Sequence, residues 1–269
     1  MGTPFSARTF HFYAAYASVL IASATYAGQP LETESARVLP ARAREFAAAI
    51  ELQTASEGKE FAVPLIFDYG LTDRLELSLE PVLYTNIMPD VGARASGMGD
   101  FEATLKWAAL PEETHRPALA FGAELKIPTA KNRLIGTGQA DYRGFVAISR
   151  RISAWEWHAN AGYTVIGKPA GLPVSDVFDY AVAGEYHASP GLDWVAEITG
   201  HTSATGEAAD GTIVAASVEN PLAPELAGSE AIAMLGARYA WRKGAALTLG
   251  ITYDNNNALS IRPGFSVRW

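Results

Sequence analysis

Apolar and polar residues alternate along most of the chain, from Arg44 to the C-terminal Trp269. The alternation comes in segments of about ten to thirteen residues separated by turn residues, as expected for strands with one apolar and one polar face. We therefore predict twelve β-strands. They cover residues 44–56, 59–70, 74–85, 99–109, 116–127, 139–150, 155–166, 176–187, 192–203, 229–241, 245–254 and 259–269.

The third predicted strand shows the pattern clearly. Leu75, Leu77 and Leu79 share one face, and Glu76 and Ser78 share the other. Such alternation is typical of a transmembrane β-barrel, but it is also typical of a soluble β-sandwich.

The lengths of the connections distinguish these two folds. Short connections follow the even-numbered strands, at residues 71–73, 110–115, 151–154, 188–191 and 242–244. Long connections follow most odd-numbered strands, at residues 86–98, 128–138, 167–175 and 204–228, whereas 57–58 and 255–258 are tight. Bacterial outer-membrane barrels have short periplasmic turns and longer extracellular loops. We predict an all-β fold, a closed antiparallel transmembrane β-barrel of about twelve strands with this asymmetry.

Aromatic residues gather near both ends of the predicted strands, where a barrel wall meets the lipid headgroups. The predicted periplasmic girdle contains Tyr69, Trp107, Trp155, Trp157, Tyr186, Trp194, Tyr239, Trp241 and Trp269. The predicted outer girdle contains Tyr84, Tyr142, Tyr163, Phe178, Tyr180 and Tyr253. The chain ends on Trp269 with apolar residues at alternate positions before it, a pattern that resembles the signal read by the barrel-assembly machinery. We therefore expect outer-membrane lipid and that machinery as partners.

The N-terminus has the features of an export signal. Residues 1–27 contain Arg8, then an apolar stretch, then Thr25-Tyr26-Ala27 as a cleavage site. We divide the chain into a signal peptide (1–27), an N-terminal periplasmic segment (28–43) and an outer-membrane barrel (44–269). Whether the segment 28–43 enters the lumen as a plug is left open by the sequence.

The polar faces of the strands predict a lumen that contains many charges of both signs. The candidate lumen-lining side chains are Glu51, Glu76, Glu80, Glu102, Lys106, Glu124, Lys126, Arg143, Glu156, His158, Asp179, Glu185, Asp193, Glu197, Arg238, Asp254, Arg262 and Arg268. They form either a ladder of ion pairs that stiffens a wet interior or a charged constriction that selects permeants. We favour the ladder.

Composition excludes several other classes of protein. The formal net charge is −8, whereas nucleic-acid binding requires clustered positive charge. Cysteine is absent, and the five histidines show no spacing typical of a metal site, so we expect neither a metal nor another cofactor. After residue 27, no apolar run approaches the roughly 18 residues of a transmembrane helix.

One triplet, His201-Thr202-Ser203, resembles the His-x-Ser of lipid-modifying outer-membrane enzymes. Those enzymes act at the wall that faces lipid. Here Trp194, Ala196 and Ile198 set the outward phase, so His201 and Ser203 are expected to point into the lumen. We predict no catalytic residues and no enzymatic activity.

Three stretches carry a family resemblance: "GMGDFEATLKWAAL", "ALAFGAELKIPTAKNRLIGTGQADYRGFVAISRR" and "WEWHANAGYTVIG". They are similar to the outer-membrane transporter-like family labelled putative phenol meta-pathway degradation proteins. The similarity runs from about residue 97 to 167 and continues loosely to the C-terminus. It implies a β-barrel of the cell outer membrane that passes small molecules, aromatic or hydrophobic compounds among them.

The function predicted from the sequence is passive passage or uptake of such small molecules. Two alternatives stay open. One is a lipid-modifying outer-membrane enzyme that uses the His201–Ser203 dyad, and the other is a structural barrel without transport. In the structural alternative, the long loop at 204–228 binds a partner or plugs the pore.

Overall fold

A computed structural model of the chain describes residues 32–56, 58–169, 174–204 and 229–269. The predicted signal peptide lies outside the described residues, as does almost all of the long loop that follows the ninth predicted strand. None of the described segments is a helix long and apolar enough to cross a membrane.

The described residues form strands connected by turns and loops. The strands are β1 (Arg44–Ala49), β2 (Glu51–Ala55), β3 (Gly58–Thr72), β4 (Leu75–Pro89), β5 (Ala95–Gly97), β6 (Phe101–Leu110), β7 (Ala118–Ile127), β8 (Asp141–Ile152), β9 (Trp155–Val165), β10 (Val177–Ser189), β11 (Leu192–His201), β12 (Glu230–Arg242), β13 (Ala245–Asp254) and β14 (Leu259–Arg268).

These strands form one antiparallel sheet that closes on itself. Strand β1 pairs with β14 through Glu45 and Arg268, and it pairs with β3 on its other side. Strand β2 pairs with the same two neighbours, so β1 and β2 are one wall strand interrupted at Ile50. Strands β5 and β6 likewise share β4 as a neighbour and form one wall strand. The wall therefore has twelve strands, and the predicted fold is confirmed.

The connections reproduce the predicted asymmetry. Four of the five connections at the end that holds both Arg44 and Trp269 contain only two residues. Opposite them lie longer loops at residues 128–140 and 166–176. Because the number of wall strands is even, the first wall strand begins and the last wall strand ends on the same side of the barrel. In bacterial outer-membrane barrels that side is periplasmic.

The predicted loop at residues 86–98 is wrong in part. Strand β4 continues to Pro89 and forms a hairpin with β5, so only residues 90–94 connect them. A register shift places Val63 opposite Tyr84 but Pro64 opposite Val82, which makes Leu83 the extra residue of a bulge. The bulge changes the phase of β4, so that Thr85 and Ile87 face the lumen.

The two faces of the wall differ sharply in polarity. Apolar side chains cover the outside, with Trp194 exposed to 55% and Leu235 to 69%. Charged side chains lie inside, and both Glu76 and Lys106 are only 1% exposed. Apolar side chains facing outward and charges facing inward are the arrangement that a lipid environment requires, and the chain is accordingly an outer-membrane β-barrel.

Aromatic residues at the periplasmic rim pack on one another outside the wall. The ring of Trp155 lies 5.6 Å from that of Trp157 and 4.8 Å from that of Tyr186. Trp107 stacks on Phe121 at 6.1 Å. Tyr142, Tyr163 and the other outer-end aromatics are also exposed, so the wall is bordered by aromatic side chains at both ends.

Residues 32–40 lie inside the barrel. Thr33, Glu34, Ser35, Ala36 and Leu39 are each at most 2% exposed, and their partners are lumen-facing side chains of the wall. From here on we call residues 32–40 the lumen segment. The question that the sequence left open is answered for these residues: they occupy the periplasmic half of the lumen.

Candidate functional site

The candidate site is the lumen, which contains the side chains predicted from the sequence. All eighteen of them lie on the inner face, where each is buried or half-buried. Toward the periplasm these side chains bind the lumen segment, and we call this part of the lumen the docking region. Toward the outer end they surround a cavity.

Glu197 holds the start of the lumen segment. Its Oε1 accepts a hydrogen bond from the Glu32 amide at 2.9 Å, and its Oε2 accepts one from the Thr33 amide at 2.6 Å. The Thr33 hydroxyl donates to the same oxygen. A wall carboxylate thus satisfies successive backbone donors that would otherwise be buried without a partner.

Asn160 pairs with Glu34 as a neighbouring strand would. Its Oδ1 accepts from the Glu34 amide, and its Nδ2 donates to the Glu34 carbonyl oxygen at 2.7 Å. Two residues further, the amide of Ala36 donates to Ser149 Oγ at 2.8 Å. Asn160 and Ser149 were not among the predicted site residues, although their inward phase on β9 and β8 was available as a signal.

Ser149 belongs to a buried chain of polar groups. Its Oγ lies 2.8 Å from Nδ1 of His158, and Nε2 of His158 lies 3.1 Å from Oε1 of Glu185. The order serine, histidine, carboxylate resembles a catalytic triad. Here the serine is fully buried, and its Oγ already accepts a hydrogen bond from the Ala36 amide. His158 and Glu185 therefore orient a serine hydroxyl that holds the lumen segment.

Apolar contacts support the same docking site. The methyl group of Ala36 lies in a buried cluster with Ala118, Ala120, Phe145 and Ala147. Gly122 makes room for the Phe145 ring of this cluster, because a Cβ on residue 122 would lie 2.0 Å from that ring. The inward face is therefore polar but includes an apolar socket at this level.

Lys106 is the central cation of the docking region. Its Nζ lies 3.2 Å from Glu34 Oε2 of the lumen segment and 3.1 Å from Glu76 Oε1 of the wall. Glu76 in turn accepts the Leu39 amide at 2.6 Å through its other oxygen. One lysine and one glutamate of the wall therefore bind both ends of the buried stretch.

Arg37 anchors the segment at the periplasmic rim. Its guanidinium forms ion pairs with Glu156 of β9 and with Glu112, 2.6 Å away in the turn between β6 and β7. Partial burial acts to raise the pKa of Glu112, but the amide of Arg151 and the guanidinium of Arg37 outweigh it and lower that pKa. Glu112 thus stays ionised as a partner for the segment.

The family-like motifs meet at one place near the outer end. Asp100 of "GMGD" accepts the Ala130 amide at 2.9 Å and lies 3.8 Å from Lys126 of "LKIPT". Lys126 also pairs with Asp141 of "GTGQAD" at 2.5 Å. Asp141 accepts the Gly167 amide of the next loop at 2.7 Å. The motifs therefore tie the outer loops at 128–140 and 166–176 to the barrel wall.

Two arginines cross-link the lumen at this level. Arg143 contacts Asp179 at 2.7 Å and Glu124 at 3.1 Å, and its guanidinium lies 4.6 Å from the centre of the Phe145 ring. Arg262 pairs with Glu32 of the lumen segment and, as an ion pair without hydrogen-bond geometry, with Glu51 at 2.9 Å. These pairs agree with the ladder interpretation of the inner charges.

Above the lumen segment, the outer half of the lumen contains a cavity of about 220 Å³, which we call the outer chamber. Its wall includes Lys126, Arg143, Arg262 and His201, and an apolar part that contains Val82, Ile87, Leu134, Ile135, Val174 and Val177. Carboxylates are more numerous. They are Glu32, Glu51, Glu60, Asp100, Glu102, Asp141, Asp179, Glu230 and Asp254.

His201 lies in this chamber as its inward phase predicts. Its Nε2 is 3.3 Å from Glu230 Oε2, and its Nδ1 is 2.9 Å from the carbonyl oxygen of Thr202. Both ring nitrogens thus face acceptor oxygens of groups other than Ser203. Among the described residues, no group of three or more His, Asp or Glu side chains has a geometry that could hold a metal ion.

The closed wall, the lipid-facing apolar surface and the polar lumen together define an outer-membrane β-barrel. The family model described as "Putative MetA-pathway of phenol degradation" matches residues 65–268, and the chain belongs to that family. The family predicted from the sequence motifs is therefore confirmed. No curated protein sequence matches the chain.

Solved structures show the same fold. The chain is similar to the COG4313 outer membrane channel from Pseudomonas putida F1, with a TM-score of 0.68 and 16% identity over 87% of this chain and 97% of that one. It is also similar to the NanC porin, with a TM-score of 0.55 and 11% identity over 82% and 98%. The chain is similar as well to the KdgM porin in complex with disordered oligogalacturonate, with a TM-score of 0.54 and 8% identity over 83% of this chain and 98% of that one.

Proposed function

We propose that the protein lets small molecules cross the outer membrane passively, aromatic and hydrophobic compounds among them. The observation that carries this proposal is the outer chamber, a cavity inside the barrel in which polar side chains lie beside an apolar wall. Binding sites for small organic molecules combine apolar lining with a few polar groups in this way.

The similar structures support the transport part of the proposal. One is called an outer membrane channel and two are called porins. The aromatic or hydrophobic part has separate support, namely the family description, which names phenol degradation, and the side chains of Ile87, Leu134 and Ile135 in the chamber wall.

The lumen segment determines how freely a molecule can continue from the chamber to the periplasm. Its residues fill the inner lumen and are held by Glu197, Asn160 and Lys106. A solute must therefore pass beside the segment or wait for it to leave the lumen. We expect slow passage through the intact protein.

Liposome swelling with two neutral, bilayer-impermeant sugars tests the proposal. Methyl β-glucoside and phenyl β-glucoside share the sugar and differ only in the group on its anomeric oxygen, a methyl group or a phenyl ring. The ratio of their swelling rates therefore reports any aromatic preference separately from permeability. We expect slow swelling with the intact chain, faster swelling without residues 32–40, and a higher rate for the phenyl compound than its larger size would allow.

The structural alternative, a barrel without transport, predicts that neither glucoside passes through the intact chain. The intact chain distinguishes the two, and the variant that lacks residues 32–40 shows only whether the segment limits the rate. If neither glucoside enters liposomes that contain the folded intact chain, the passage proposal is wrong and the structural alternative stands.

A further inference from the structure

Acidic side chains far outnumber basic ones in the outer chamber. Among the residues that the structure describes, nine carboxyl groups line it, against one lysine and two arginines. The charge balance predicted from the sequence, with both signs well represented, describes the lumen as a whole but not this half of it.

Its three permanent cations already have carboxylate partners. Lys126 bridges Asp100 and Asp141, and Arg262 bridges Glu32 and Glu51. Arg143 is held between Asp179 and Glu124. Each of these cations is thus shared between two acidic groups, and among the described residues none of the three forms an ion pair with Glu60 or Glu102.

Glu102 is the clearest of these remaining carboxylates. Its side chain lines the chamber and is only 2% exposed, yet no donor among the described residues lies within hydrogen-bond distance of its Oε2. Its direct cross-strand neighbours are Glu80 on β4 and Lys126 on β7, and the ammonium group of Lys126 pairs with Asp100 and Asp141 instead. Like charges directly opposite each other in a sheet are unfavourable, and a cation between or above them would relieve the repulsion.

Glu60 on β3 repeats this situation nearer the outer rim. It also lines the chamber, and its buried Oε2 has no donor among the residues that the structure describes. The carboxylate of Glu51, which also lines the chamber, acts on Glu60 by like-charge repulsion. Two acceptors without a donor therefore face one cavity from two different wall strands.

The geometry favours an organic cation over a metal ion. A metal ion needs several ligands converging at short range, and no such group occurs in the described part of the chain. An ammonium group needs only one or two acceptors, and its apolar substituents would contact Val82, Ile87 and Ile135 on the same wall.

We propose that the outer chamber selects organic cations, so that the preferred permeant is an ammonium ion with an apolar body. This inference rests on the proposed passage function and specifies its substrate class. Neutral aromatic compounds remain able to enter, whereas anions of the same size are repelled by the uncompensated carboxylates.

Reversal potentials across planar bilayers test the inference on the intact chain. A gradient of benzylammonium chloride reports the permeability of an aromatic cation whose N–H groups can donate to the carboxylates, and a gradient of sodium benzenesulfonate reports that of an aromatic anion. The cation should be favoured in both gradients. Removing one carboxylate should lower the cation-to-anion permeability ratio about threefold or more. One unit charge at roughly 7 Å in water changes the energy of a single permeant ion by about RT, and the changes for the cation and the anion have opposite signs.

Glu102→Gln and Glu60→Gln are the informative variants, because glutamine keeps the shape and removes the charge. Glu113→Gln is the matched control, since Glu113 is exposed in a periplasmic turn and pairs with Arg116 away from the chamber. Heat-modifiable migration in gels confirms that each variant is folded. The ratio should fall in both chamber variants and stay unchanged in the control.

Two failures are distinguishable. If the neutral glucosides enter liposomes but the cation-to-anion ratio is at or below one, or is the same in all variants, the chamber is not cation-selective and the passage function survives. If neither neutral nor charged solutes cross, the passage function is itself wrong, and the inference falls with it.

Discussion

The ammonium group of Lys106 lies 3.2 Å from the carboxylate of Glu34. This ion pair joins strand β6 to the lumen segment. Both side chains are almost completely buried. Because Glu76 lies 3.1 Å from the same ammonium group, one cation stabilises two buried carboxylates. Removing a partner from such a group leaves a charge without compensation.

Lys106→Met is therefore expected to be strongly destabilising, by about 3–5 kcal/mol in the free energy of unfolding, as for other broken buried pairs. Urea unfolding in detergent or bilayers measures this loss. Adding Glu34→Gln and Glu76→Gln to the same variant removes the orphaned charges and should restore a large part of it. If Lys106→Met unfolds like the wild type, the buried ion-pair arrangement is wrong.

Asp100 is expected to control the order of the outer loop at residues 128–140. Asp100→Asn keeps the size of the side chain but weakens its hydrogen bond to Ala130 and its attraction to Lys126. Lys131 and Arg133 in this loop are trypsin sites, so limited proteolysis measures the change. Cleavage there should be faster in Asp100→Asn, while Asp90→Asn in the exposed loop between β4 and β5 should leave the rate unchanged.

Glu112 should make part of the stability depend on pH. Its pKa is lowered in the folded protein, so its contribution is present above the usual pKa range of a glutamate and is lost as the pH falls through the lowered pKa. Glu112→Gln should reduce the difference in unfolding free energy between pH 7 and pH 3 by about 0.5–1 kcal/mol. The control Glu113→Gln should change it less, and an equal effect of both would contradict the anchoring role of Glu112.

Trp269 is proposed to be the residue that the barrel-assembly machinery recognises. Its side chain is exposed at the periplasmic rim, and its backbone exchanges two 3.0 Å hydrogen bonds with Arg44 where the barrel closes. Trp269→Ala should lower the folded amount recovered from outer membranes, while refolding in detergent stays near normal. Trp241→Ala, another exposed aromatic at the same rim, is the control, and equal recovery of both variants would remove the special role of Trp269.

Most of the wall could be predicted from the sequence because a barrel imposes a local rule. Every inward residue is followed by an outward one, so Leu105 and Trp107 on one side and Thr104 and Lys106 on the other mark their faces without knowledge of any neighbour. The exception at residues 86–98 has a local cause. The bulge at Leu83 shifts the phase, and strand β4 continues beyond the point at which the alternation appears to end.

The docking of residues 32–40 could not be predicted, because it depends on contacts between distant parts of the chain. Thr33, Ser35 and Ala36 have no periodicity that marks them as buried, and their partners Glu197 and Ser149 are more than 100 residues away. Ion-pair partners within the lumen are equally non-local. The alternation shows that Arg143 faces inward, but only the assembled register places it between Asp179 and Glu124.

A reversible cross-link of the lumen segment tests the central claim most directly. The chain has no cysteine, and the hydroxyl oxygens of Ser35 and Ser149 are 3.4 Å apart, so cysteines at these two positions are within reach of a disulfide. Glucoside swelling should be slow in the oxidised Ser35→Cys/Ser149→Cys protein and become faster after reduction. Failure of the disulfide to form in folded protein, or an equal rate in both redox states, would show that this segment does not control the route through the barrel.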